Sequence, residues 1–221
     1  MQRYLDQELD DLKDKLLTMG GRAEAAVSEA VKAVVDRDDK LAQQVKDNDD
    51  VMDAYEIEID DLAVHLLSKA PLATDLRFIT VAMKISQNLE RIGDEATTIA
   101  RRAQELNQEP PLKIVVDLPR LASIALSMLK DALDAFVHRA AEQGAAVIPR
   151  DKEVDATNRQ FHRELSSYMV ENPATITRCL NLMVVSKSLE RIADHATNIA
   201  EEVVYLYEAR DIRHGGGKEP V

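Results

Sequence analysis

The sequence predicts an all-α protein made of two tandem, pseudo-symmetric three-helix bundles, six long helices in all. Three observations predict it. The 221-residue chain has seven Gly, no Trp and only 4% aromatic residues, yet it is 45% hydrophobic and 31% charged, a composition that favours helix over sheet. Between its prolines, apolar residues recur at spacings of three and four. Finally, residues 88–100 read NLERIGDEATTIA and residues 188–200 read SLERIADHATNIA, nine of thirteen positions being identical at an offset of 100. Self-similarity at a fixed offset marks a duplicated unit.

Each element follows from its pattern. Leu5, Leu9, Leu12, Leu16, Met19 and Ala23, continued by Val27, Val31 and Val34, form the stripe of a first helix. Asp36, Asp38 and Asp39 supply turn and N-cap chemistry. A second helix is expected from about Asp39 to Lys69, stopped at Ala70-Pro71, and a third from Thr74 to Asn107. The segment EPPLKIVVD, Glu109 to Asp117, reads as a linker. A fourth helix then spans Leu118 to Ala140, a fifth Glu142 to Val170 with a kink near Pro149, and a sixth Thr175 to Arg210. The expected units are 1–110 and 111–212, with 213–221 as a disordered tail.

The net charge of −12 argues against nucleic acid, because an acidic chain gains nothing from counterion release. No apolar run reaches the roughly 20 residues that span a bilayer, and the charged start MQRYLDQELDDLKDK is no signal peptide. One cysteine, Cys179, makes neither an intrachain disulfide nor a thiolate metal site. These readings point to a cytoplasmic protein.

The repeat carries paired acids: Glu90 with Asp94 and Glu190 with Asp194, each four residues apart and so on one helix face. The second and fifth helices carry Asp49/Asp53 and Asp151/Asp155. Folding each hairpin about its proline sets Asp49 level with Asp94 and Asp53 with Glu90, and likewise Asp151 with Asp194 and Asp155 with Glu190. Carboxylates converging from facing helices are how bundles hold metal ions, and an all-oxygen set suits iron, manganese, magnesium or calcium. The same acids also suit ordinary surface pairing with Arg91 and Arg191. His195 and Asn198 are further candidate ligands, whereas Gly93 fits close helix packing better than anion binding.

LERIGD and LERIAD, each closing a three-helix unit, together with TMGG at Thr18–Gly21 and IRHGGG near the end, resemble the PhoU family over nearly the whole chain. The resemblance implies two similar three-helix bundles, often dimeric, in a cytoplasmic, non-catalytic repressor of phosphate uptake and phosphate-regulon signalling. It implies as partners the ATPase subunit of the phosphate ABC importer and the phosphate-sensing histidine kinase. It also implies iron or zinc, with manganese or magnesium as alternatives, held at Asp49, Asp53, Glu90 and Asp94 and at Asp151, Asp155, Glu190 and Asp194. Where the family often has one more acid, this chain has Thr97, and Thr197 in the second copy. The competing reading, a ferritin-like di-metal oxidoreductase, wants Glu-x-x-His pairs. Gly93 and Ala193 stand where those histidines would be.

Overall fold

The structure, a computed structural model, describes residues 2–69, 72–113 and 117–212. Pro71, part of the expected linker and the expected 213–221 tail lie outside the described residues. Eight α-helices are found among the described residues: α1 (Gln2–Asp36), α2 (Asp39–Asp47), α3 (Asp49–Leu67), α4 (Ala73–Asn107), α5 (Leu118–His138), α6 (Ala141–Val147), α7 (Asp151–Glu171) and α8 (Ile176–Glu208). No strand is present among them. The six expected long helices are there, the second and fifth each broken in two.

The expected kink near Pro149 is a turn of 3-10 helix at Ile148–Arg150. The break at Asn48 was not expected, and the run from Asp39 to Lys69 is therefore corrected to two helices. Asn48 lies within Asp47-Asn48-Asp49-Asp50, four poor interior helix formers. Asp49 and Asp50 then occupy the first turn of α3, where acids oppose the helix dipole favourably. A uniform offset of 102 relates the two halves from α1 through α3. Arg37 and Arg139, both with φ 56°, end α1 and α5 at matching positions.

Leu12, Leu16, Met19, Ala23, Val27 and Ala30 are fully buried along α1, as an apolar stripe at helical spacing should be. In each half the long third helix forms the spine: α1, α2 and α3 pack on α4, and α5, α6 and α7 pack on α8. The halves join where α4 meets α8 and α1 meets α5. Gly20 permits the second meeting, since a Cβ there would fall 2.8 Å from Leu133 Cδ1. Phe78 of α4 stacks on the buried Phe136 of α5, ring centroids 6.0 Å apart.

Candidate functional site

In the first half, α3 runs antiparallel to α4. Gly93 lets it approach, because a Cβ on Gly93 would stand 3.2 Å from Met52 Cγ, in keeping with the packing role expected of it. This close pairing brings Asp49 and Asp53 to the level of Glu90 and Asp94. Thr97 Oγ1 donates to Asp49 Oδ1 at 3.0 Å. Arg91 Nη1 donates to Asp94 Oδ2 at 3.0 Å, and its Nε lies 3.3 Å from Glu90 Oε2. That oxygen is buried and accepts no hydrogen bond. Burial first, and then the Asp94 charge, push Glu90 up to about 7 despite Arg91. Burial also raises Asp49; the Thr97 hydroxyl works against the rise, and Asp94 and Asp53 add to it.

Sequence reasoning missed one member of this group. Glu56 is raised by burial and then by Asp60, and Asp53 and Asp94 also act on it. Asp49, Asp53, Glu56 and Asp60 step by four, three and four along α3, an acidic row that helical periodicity makes legible. The repeated motif does not reveal it, because the matching positions of the second half are Asn158 and His162.

In the second half, Asp194 lies within hydrogen-bonding reach of Asp151, which burial, followed by the Asp155 charge, holds above the ordinary aspartate range. Asp194 is pushed up to about 6 by burial, Glu190 and Asp151, with Lys187 opposing. Lys187 forms an ion pair with Glu190 Oε2, and Arg159 pairs with Asp155 at 3.2 Å. Asp151 Oδ1 and Thr197 Oγ1 are buried without a hydrogen-bond partner. Thus Thr197 does not reproduce the bond that Thr97 makes.

The structure turns His195 and Asn198 away from the acids and into the seam between the halves. His195 Nδ1 is 2.9 Å from Asn88 Oδ1, and Asn198 Nδ2 donates to the same oxygen at 3.3 Å. The seam also holds an ion pair between Arg191 and Glu95 at 3.1 Å and one between Lys84 and the buried Glu202, also 3.1 Å. Both tie α4 to an antiparallel α8, so that 90–94 runs alongside 192–196. Arg191 therefore serves the other half, whereas Arg91 pairs with its own cluster as the surface reading expected.

The donor chemistry suits a hard cation: both sets are carboxylates, and Glu90 Oε2 and Asp151 Oδ1 have acceptor capacity to spare. The spacing is looser than the chemistry. Among the described residues, no three His, Cys, Asp or Glu side chains stand close enough together to hold a metal ion. Like charges in a shared site favour protonation or separation, so a closer set would need a compensating positive charge.

Fold and clusters together define a class, the internally duplicated all-helical protein with one carboxylate cluster in each half. The PhoU domain family model matches this chain twice, at residues 16–103 and 118–203. The chain is 43% identical over 216 residues to the phosphate-specific transport system accessory protein PhoU homolog of Pseudomonas aeruginosa, covering 97% of this chain and 89% of that one. It is 35% identical to the corresponding Escherichia coli K12 protein, covering 96% and 88%. The crystal structure of PhoU from P. aeruginosa superposes with a TM-score of 0.90, covering 92% of this chain and 99% of that one at 43% identity. That of the phosphate transport system regulatory protein PhoU from Streptococcus pneumoniae gives 0.88, covering 94% and 99% at 26% identity. This chain belongs to the PhoU family.

Proposed function

We propose that the chain is a non-catalytic accessory regulator of phosphate-specific transport that represses phosphate-starvation signalling. The observation that carries this reading is the match over both halves to proteins named as accessory to, or regulatory of, phosphate transport. Among the described residues, no helix is long and apolar enough to cross a membrane. A −12 chain is repelled by anionic lipid, so it reaches a membrane complex by protein contact. The partners proposed are the importer ATPase and the cytoplasmic part of the sensor kinase, with the regulator cytoplasmic and homodimeric. Deleting its gene should derepress phosphate-starvation genes in phosphate-rich medium; unchanged expression there would overturn the reading. Contact should be steered by charge, and the screening length falls from about 10 Å at 0.1 M salt to about 3 Å at 1 M. Pull-down of the ATPase subunit should therefore succeed at the lower salt and weaken at the higher. No complex at 0.1 M would remove that partner.

Within this reading, Asp49, Asp53, Glu90 and Asp94 hold one cation site and Asp151, Asp155, Glu190 and Asp194 the other, with iron or zinc favoured. A bound cation would supply the positive charge that lets these acids approach one another. Replacing Glu190 and Asp194 together by Ala should remove metal from the second site and spare the first, as elemental analysis of untagged protein would show. Equal metal content in variant and wild type would sink the assignment. Ligation needs ionised acids, and with Glu90 raised to about 7 and Asp194 to about 6, metal should be lost as pH falls from neutrality.

A further inference from the structure

The two helix breaks occupy equivalent places and are finished differently. In the second half, Arg150 reaches from the break to α5: its Nη1 donates to Asp131 Oδ2 at 2.5 Å and its Nη2 to Ser127 Oγ. At the offset of 102, Arg150, Asp131 and Ser127 correspond to Asn48, Glu29 and Ala25. The acid is retained there, while the guanidinium and the hydroxyl are gone.

A cavity of about 190 Å³ opens at that place in the first half, and Asn48, Glu29 and Ala25 all line it. Asp49 and the buried Thr97 line it as well, beside Val45. Among the described residues Glu29 has no ion pair, and the Asn48 side chain makes no capping bond to α3. The remaining charged lining residue, Arg22, is exposed and held over the Tyr55 ring, 5.4 Å from its centroid. The chain thus shows in one half a guanidinium seated against an acid of the facing helix, and in the other half the retained acid beside an open cavity. We infer that the first-half cavity receives the guanidinium of an arginine presented by a partner protein, with Glu29 taking the role that Asp131 has toward Arg150. A planar, permanently charged fork suits a carboxylate beside neutral acceptors better than an ammonium does. The site goes beyond the transport reading and needs neither a loaded metal cluster nor either proposed partner.

The test uses the full chain and amide chemical-shift titrations with N-acetyl-arginine methylamide. Saturable shifts are expected at Glu29, Asn48 and Thr97. N-acetyl-lysine methylamide should bind at least five-fold more weakly. Free arginine should also bind more weakly, because its carboxylate meets Glu29 and Asp49. The double variant N48R/A25S rebuilds the second-half arrangement; it should fold, melt no lower than wild type and lose the saturable shifts. E29Q, a smaller change, should weaken binding at least five-fold. Absence of saturable shifts at these residues, or undiminished binding in both variants, would overturn the site. Equal binding of the lysine probe would overturn the guanidinium chemistry, and tighter binding of free arginine would overturn the partner as its source.

Discussion

The two halves share a backbone plan and differ in how each compensates the charge it gathers. The first half concentrates acid, with Glu56 and Asp60 beyond the repeated four, and answers it with Arg91 and the Thr97 hydroxyl. The second half has Asn158 and His162 at those two positions. There Ser186 donates to Asn158 Oδ1 at 2.8 Å and lies 3.1 Å from His162 Nε2, while Lys187 and Arg159 pair with the acids. Their shared plan rests on buried apolar rows, and the polar partners vary around it. Apolar burial is non-directional and tolerant of neighbours, so the frame persists while local chemistry diverges.

The largest expected effect breaks the comparison in the core. Phe136 is fully buried against Phe78, whereas its counterpart Val34 is partly buried. Phe136→Ala should cost about 3–4 kcal/mol and Val34→Ala about 1 kcal/mol in denaturant unfolding; equal losses would show that the aromatic pair across the halves adds nothing. Next, Arg150→Asn makes the second break like the first. The pair it removes is partly exposed, with side-chain exposures of 32% and 51%, so a loss near 1 kcal/mol is expected. A loss above about 3 kcal/mol would mean that the bridge holds the break together.

The smallest effect sharpens the comparison by pH. Glu90 is raised from 4.5 to about 7 in the folded chain, so metal-free protein binds that proton more tightly folded than unfolded. Its contribution is full below about 4.5 and fades as pH rises through about 7. Asp194, raised from 3.8 to about 6, does the same in a lower window. Melting temperatures of metal-free protein should therefore fall between pH 5 and 8. Glu90→Gln should flatten that fall, and Asp194→Asn should flatten chiefly the part below pH 6. Identical pH profiles for both variants and wild type would discount the crowding of these acids.

The helical class and its duplication were legible because periodicity and an offset repeat are local signals, readable along one chain. That the acids of α3 come near enough to those of α4 to act on them, Asp94 on Asp49 and Asp53 on Glu90, was legible for the same reason, since a hairpin needs only a turn position. The break at Asn48 has a signal only in the other half: Pro149, which marks the matching kink, corresponds to Asp47. Spacing alone sets His195 and Asn198 beside the acids, because one helix face says nothing about the other bundle. Their direction is set by the docking of α4 on α8, which intrahelical spacing does not encode. Glu202 was missed likewise; it is 5% exposed, and its cation, Lys84, comes from the other half.

The antiparallel seam has a further consequence. If each half were a separate chain, α4 and α8 would meet as an isologous pair, and every contact would have to occur twice. Joined in one polypeptide, the contacts are released from that rule. Lys84 meets Glu202, but the mirrored positions are Val184 and Arg102; Arg191 meets Glu95, and the mirrored acid position is His195. Covalent fusion has turned a self-complementary surface into one with a distinct left and right hand. A bound partner can therefore tell the two ends of this molecule apart, which no symmetric pair of identical halves would permit.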